Sequence, residues 1–259
     1  MSHRRFFINP ADITGETAQL TGQEAHHLRT VLRLSPGDPL TLFDGTGARY
    51  QARIERLLKD RVTATIIEHT LDPQPKVRLH LGQALLKGQR MDLALQKATE
   101  LGVEAIWLFR SEHVVHKTLK EAQMERWQRI ILEACKQCDR ARVPEIHAPR
   151  ELTDLVAQPP PCDLRLLFWE HEARQSLNEV LACQEKNCHA VFFLLGPEGG
   201  FSETEVGFAK QEGFAPVSLG TRILRAETAT LAATAILQFA LGNLDPVPPK
   251  TQEKAPCAP

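Results

Sequence analysis

Charged side chains sit among glycines at two places near the C-terminus, and that combination could do chemistry. The first stretch reads Leu195-Gly196-Pro197-Glu198-Gly199-Gly200-Phe201-Ser202. Its glycines permit tight turns and a close approach of backbone to a ligand. A phosphate cradle is the first chemistry to test. A P-loop carries Lys after its last glycine, where Phe201 stands here, and the Gly-x-Gly-x-x-Gly fingerprint of dinucleotide sites is absent. Glu198 would also repel a phosphate. The loop therefore suits a small molecule that carries no phosphate.

The second stretch reads Leu219-Gly220-Thr221-Arg222-Ile223-Leu224-Arg225-Ala226-Glu227-Thr228. Ile223 and Leu224 are apolar residues suited to an adenine slot, and Arg225 and Glu227 flank the small Ala226. Those two charges are either working groups or an ordinary surface ion pair; loops at the carboxyl edge of a sheet favour the first reading. S-adenosylmethionine, an adenosine with a sulfonium cation and a zwitterionic tail, meets these demands. Its candidate contacts are Leu195, Gly196, Glu198, Gly199 and Gly200 in the first stretch, and Leu219, Gly220, Ile223, Leu224 and Thr228 in the second. Candidate catalytic groups are Arg225, Glu227 and Glu198. A guanidinium stays protonated and steadies an anion, whereas a carboxylate takes up a proton. The residues do not choose between Glu198 and Glu227 as the base, and Glu198 is equally suited to ribose hydroxyls.

Both stretches need elements to hold them. Ala190 to Leu195 is an unbroken apolar run, as expected of a strand buried on both faces. Ser202 and Glu205 have capping-box spacing, so a helix is expected from there to about Gly213. Thr228 is placed to cap a second helix, Ala229 to Leu241, which is Ala-rich and apolar all round. Further upstream, strands are expected at Val77–Leu81, Ala105–Phe109 and Leu164–Trp169, and helices at Met91–Leu101, Glu121–Cys138 and Ser176–Ala182. That alternation predicts an α/β domain with a mostly parallel sheet over residues 76–244. Asp72-Pro73-Gln74-Pro75 reads as a linker. Residues 1–72 read as a small β domain, with strands at Pro39–Phe43, Gly47–Ile54 and Arg61–Glu68 and a short helix opened by Thr21 and Glu24. That helix carries His26, His27, Arg29 and Arg33, which are either RNA contacts or a solvated face. Residues 245–259 lack periodicity and are expected to be disordered.

The composition is that of a folded protein, 259 residues with 42% hydrophobic content and a net charge of −1. The near-zero charge hides an asymmetry. Residues 76–150 carry 14 basic against 9 acidic side chains, and residues 151–259 carry 8 against 14. A basic middle is compatible with RNA backbone contacts, and Arg140 and Arg142 are candidates there. No apolar run has membrane-spanning length and the N-terminus lacks a signal-peptide core, so a cytoplasmic location is expected. Cys135-x-x-Cys138 and the Cys183/Cys188 pair could together form a four-thiolate zinc site. The first pair falls inside an expected helix, however, and reduced cytosolic thiols are the simpler account, with no metal.

At this point a resemblance becomes specific. Gly196-Pro197-Glu198-Gly199-Gly200-Phe201-Ser202, followed by Leu219-Gly220-x-x-Ile223-Leu224-Arg225-x-Glu227-Thr228, resembles the signature of the bacterial ribosomal RNA small subunit methyltransferase E family, of the SPOUT class. Lys97-x-x-Glu100-Leu101-Gly102-Val103, Glu133-Ala134-x-x-Gln137-x-x-Arg140-x-x-Val143-Pro144 and His27-Leu28-x-x-Val31-Leu32-Arg33 are similar to further motifs of that family, in the same order. Ala226 stands where the family often has Thr, Lys136 replaces an acidic residue and Cys138 a Ser. The resemblance covers nearly the whole chain up to about Leu244.

The resemblance implies a PUA-like β-barrel followed by a SPOUT domain with a C-terminal trefoil knot. It implies S-adenosylmethionine-dependent methylation of N3 of a uridine in 16S ribosomal RNA, in free RNA or the assembled small subunit. Arg225 would then steady negative charge on the uracil oxygens. The partners expected are 16S ribosomal RNA and, from the apolar C-terminal helix, a second copy of the chain. Ribose 2′-O methylation of ribosomal or transfer RNA and a non-catalytic RNA-binding protein are the alternatives.

Overall fold

The computed structural model describes residues 4–114, 121–172, 174–182 and 188–245. Most of the tail expected to be disordered, beyond Asp245, and Cys183 of the second cysteine pair fall outside them.

The N-terminal part is built on one six-stranded sheet. Its strands are β1 (Arg5–Phe7), β2 (Ile13–Thr14), β3 (Thr17–Thr21), β4 (Pro39–Phe43), β5 (Ala48–Leu57) and β6 (Arg61–Leu71), in the order β1-β4-β5-β6-β3-β2. Alternating residues such as Leu40 and Leu42, Ala52 and Ile54, and Val62 and Ala64 fill its core. The opposite residues are mostly polar, as a one-sided antiparallel sheet requires. The short helix α1 (Gly22–His26) runs on into a π-type turn, His27–Val31, and Leu28 plugs the core from there.

The second part carries a sheet whose pairings are all parallel. Its strands are β7 (Arg78–Ala84), β8 (Ala105–Arg110), β9 (Glu145–Glu151), β10 (Leu164–Phe168), β11 (Ala190–Leu195) and β12 (Ala215–Val217), in the order β12-β10-β11-β7-β8-β9. The helices are α2 (Gln89–Glu100), α3 (Glu121–Cys138), α4 (Leu152–Ala157), α5 (Leu177–Ala182), α6 (Glu203–Gln211) and α7 (Ala226–Ala240). Along β11, Val191, Phe193 and Leu195 enter one core, while Phe192 and Leu194 enter another that also contains residues of α4 and α6. Burial on both faces explains why this strand reads as a continuous apolar run. Two elements lacked a legible signal. β9 mixes charged residues with Pro149 because it is an edge strand, and α4 is too short to show a period.

The C-terminal helix differs from expectation at its start. It begins at Ala226, with Arg225 as its N-cap residue and no side-chain cap, so Thr228 lies in the first turn instead of capping it. The helix is also less uniformly buried than its composition suggested. Thr230, Ala233, Thr234, Leu237 and Gln238 are buried, whereas Phe239 is 76% exposed and Ile236 42%. Two of its buried polar side chains find partners across the fold: Thr230 Oγ1 donates to Gln83 Oε1 at 2.7 Å and Gln238 Nε2 to the Leu101 carbonyl at 2.6 Å.

The two sheets are joined through α3. The buried Arg5 guanidinium donates to the Cys135 carbonyl at 3.1 Å and pairs with Asp139 at 2.9 Å, and Lys136 pairs with Glu24. Ala141 N–H donates to Asp72 at 2.8 Å, which anchors the linker. Cys135 lies inside this junction, where burial pushes its thiol up to about 12, far from a metal-binding thiolate. Among the described residues no group of three or more His, Cys, Asp or Glu could hold a metal, and no helix is long and apolar enough to cross a membrane.

Candidate functional site

The strand order brings three loops together. β10 lies between β12 and β11, so the segments following all three strands meet at one carboxyl edge. This is where open parallel sheets bind ligands. A cavity of about 310 Å³ opens between them. Leu195, Gly196, Pro197, Glu198 and Gly200 form one wall, and Leu219, Gly220 and Arg222 to Glu227 form the facing one. Phe168, Trp169 and Glu170, at the end of β10, form a third wall between them.

The first wall is held from several sides. Ser202 and Glu205 form a capping box at the start of α6. Gly200 adopts φ +71°, in the left-handed region, and its N–H donates to the Pro197 carbonyl at 3.0 Å, closing the turn. The His113 ring contacts the Gly200 carbonyl through Nδ1 at 3.2 Å, and Glu112 N–H donates to Glu205 at 2.8 Å, so the loop after β8 braces this turn. Glu198 accepts hydrogen bonds from Lys87 N–H at 3.0 Å and Arg90 Nη1 at 3.1 Å. Partial desolvation acts to raise its carboxyl, but the Lys87 and Arg90 donors outweigh it and hold the group below the ordinary glutamate value.

The second wall keeps its charges free. Among the described residues, neither the Arg222 nor the Arg225 guanidinium has a hydrogen-bond or ion-pair partner, so Arg225 and Glu227 are not the simple surface pair considered above. Glu227 Oε2 is buried without a donor. The residue sits in the first turn of α7. Such an oxygen answers to a donor brought by a ligand.

Of the residues singled out above, Leu195, Gly196, Glu198, Gly200, Leu219, Gly220, Ile223, Leu224, Arg225 and Glu227 line the cavity. Gly199 and Thr228 do not. Gly199 faces the His113 side chain, where a Cβ would stand 2.8 Å from His113 Cβ. Arg90, Trp169, Glu170 and Arg222 line the cavity without having been singled out. Arg222 lay within the quoted second stretch. Trp169 and Glu170 follow an apolar strand, but their closeness to the glycine loop depends on sheet order. Arg90 comes from the start of α2 and left no local signal.

The basic residues are divided. His26, Arg29 and Arg33 are exposed on α1 and just after it, while the His27 ring rests edge-on against Phe6 at 5.8 Å. Arg29 donates to the Lys59 carbonyl. Arg140 is drawn inward: Nη1 donates to the Thr99 carbonyl at 3.1 Å and Nη2 lies 3.5 Å from Glu104. Arg142 shares Glu104 at 4.0 Å. Arg140 therefore does not offer the free guanidinium that a phosphate contact needs.

Residues 73–238 match the family described as RNA methyltransferase domain, and residues 20–67 the RNA methyltransferase PUA domain. The ribosomal RNA small subunit methyltransferase E of Synechocystis is 35% identical over 89% of this chain and 76% of its own. Among solved structures, a ribosomal RNA small subunit methyltransferase E from Neisseria gonorrhoeae bound to S-adenosyl methionine is 35% identical. It superposes with a TM-score of 0.82 over 91% of this chain and 97% of that one. A methyltransferase from Legionella pneumophila in complex with the cofactor SAM is 33% identical, with a TM-score of 0.83 over 93% and 98%.

Proposed function

Because this chain belongs to the ribosomal RNA small subunit methyltransferase E family, we propose that its cavity holds S-adenosylmethionine and that it methylates N3 of a uridine in 16S ribosomal RNA. The observation that carries this reading is the cavity between the loops of β10, β11 and β12, lined by apolar side chains together with guanidinia that are unpaired among the described residues. The residues fit the donor. Leu195, Leu219, Ile223 and Leu224 provide an apolar slot for adenine. Gly220 stands in open space on the cavity wall. The orphan oxygen of Glu227 matches a ribose hydroxyl or an ammonium. When bound, the donor supplies an electrophilic methyl on a sulfonium.

The chain's residues supply the rest. Uracil N3 is a poor nucleophile until its proton leaves, so the site must favour the ring anion. Arg225 provides a permanent positive charge for the uracil oxygens. Glu198, tied to Lys87 and Arg90, shapes the glycine loop more readily than it accepts a proton. The target nucleotide must leave its stack to reach the cavity. The exposed His26, Arg29 and Arg33 contact RNA phosphates, while His27 and Arg142 are partly covered and Arg140 braces Thr99 and Glu104.

Residues 1–72 act as the RNA-binding domain and 76–244 as the methyltransferase domain. The segment from Leu219 through α7 forms a trefoil knot; hydrogen bonds from Gln238 to Leu101, just after α2, and from Asn243 to Val77, just before β7, support that reading. The exposed Phe239 and Ile236 on α7 support a homodimer. The enzyme works in the cytoplasm, where ribosomal subunits are. The test is methylation of small subunits from a strain lacking the gene, followed by nucleoside mass spectrometry. N3-methyluridine is the expected product; 2′-O-methyluridine or no product overturns the reading.

A further inference from the structure

Three carboxylates line the cavity, and their surroundings differ. Glu198 is committed to Arg90 and Lys87 N–H, which makes it a weak proton acceptor. Glu227, in the first turn of α7, has one buried oxygen that lacks a donor among the described residues. Glu170 is unlike both. It is the second residue past the end of β10, and the preceding Trp169 N–H donates to the Val217 carbonyl at 2.9 Å, which fixes that strand end in the sheet. The Glu170 carboxylate lies over Gly200, where an added Cβ would collide with Oε1. The residue is exposed at the rim and, among the described residues, has no hydrogen-bond or ion-pair partner.

We propose that Glu170 is the general base that removes the N3 proton of the target uracil. The assignment rests on the uridine-N3 reading above. An extruded nucleotide enters from solvent, so its ring meets the open rim, and the base must afterwards release its proton to water. Glu170 satisfies both conditions. The other charges facing this space are Arg222, Arg225 and Glu227 on the second wall and the Glu198–Arg90 pair on the first. Two guanidinia on the second wall, unpaired among the described residues, are placed to hold the negative charge that deprotonation leaves on the ring oxygens. The N3–H bond breaks, its proton goes to a Glu170 oxygen and its electron pair stays on N3. Net, the sulfonium methyl replaces that proton on N3, the thioether keeps the pair of the broken S–C bond, and Glu170 returns the proton to water.

The experiment compares wild-type protein with Glu170→Gln and Glu170→Asp on small subunits lacking the modification. Calorimetry with S-adenosylhomocysteine and thermal unfolding are run alongside. Glu170→Gln should retain cofactor-product affinity within about threefold and unfold like wild type, because the residue has no internal partner to lose. Its kcat should fall by roughly 10²–10⁴ near neutral pH. The residual rate should rise about tenfold per pH unit and approach wild type in alkali, where uracil loses its proton unaided. Glu170→Asp should restore part of the neutral rate. A Glu170→Gln enzyme with wild-type kcat, or a loss that persists at high pH, overturns the assignment while N3-methyluridine from the wild type leaves the functional reading standing. A wild type that makes no N3-methyluridine sinks both.

Discussion

Arg90 Nη1 donates to Glu198 Oε1 across 3.1 Å, so the start of α2 holds the glycine loop that follows β11, 108 residues away in sequence. The pair is half-open to water, with side-chain exposures of 47% and 29%, and pairs of that kind contribute about 0.2–1 kcal/mol. Arg90→Ala should therefore weaken S-adenosylhomocysteine binding by no more than about fivefold. Glu198→Ala should cost more, because it also strips the acceptor from Lys87 N–H. The carboxyl is held below its ordinary value of 4.5, so the tether is complete above that pH and fades as pH falls through the lowered folded value. Wild-type affinity measured by calorimetry should drop in that acid window, and Glu198→Gln should show less of the drop.

Among the described residues the Arg225 guanidinium has no partner, so truncating it should leave the fold and the cofactor slot intact. Arg225→Ala is expected to abolish methyl transfer while S-adenosylhomocysteine still binds nearly as in wild type. A large loss of affinity in calorimetry would make Arg225 a cofactor ligand instead.

Gly199→Val should act through the loop that braces the pocket. A Cβ there stands 2.8 Å from His113 Cβ, so the loop after β8 must shift and the His113–Gly200 contact is lost. Overpacking of this kind costs about 1–3 kcal/mol, or a Tm loss of about 2–12 °C in a chain of this size. Cofactor-product affinity should fall with it. An unchanged Tm together with lost binding would mean that the valine blocks the ligand directly.

Phe239 is 76% exposed on α7. Phe239→Asp should convert a dimer into monomers, read by light scattering, while far-UV circular dichroism stays unchanged. A wild type that is already monomeric would remove the homodimer.

Much of this arrangement was legible because short-range rules produce it. The unbroken run in β11 announced a strand buried on both faces, and the Ser202–Glu205 spacing announced the start of α6. The whole length of α3 was readable from its amphipathic period. Legibility stopped where distant residues decide. Thr228 looked like a cap, yet α7 starts at Ala226 with Arg225 at the N-cap and no side-chain oxygen bonded to its first turn. Arg140 looked like a surface cation, yet it is held by Thr99 and Glu104, which neither charge counting nor helix period reveals.

From residue types and spacing alone came the two loops, the parallel α/β design, the separate β-rich beginning and a pocket without a phosphate cradle. These follow from glycine freedom, burial pattern and charge, which act over a few residues. Only the tertiary structure put β10 between β11 and β12 and so brought Trp169 and Glu170 to the same rim as Arg225. Only it occupied Glu198 with Arg90 while leaving Glu170 without a partner among the described residues. Strand order and ion pairing depend on contacts between chain segments far apart in sequence, and local patterns do not encode which of those contacts form.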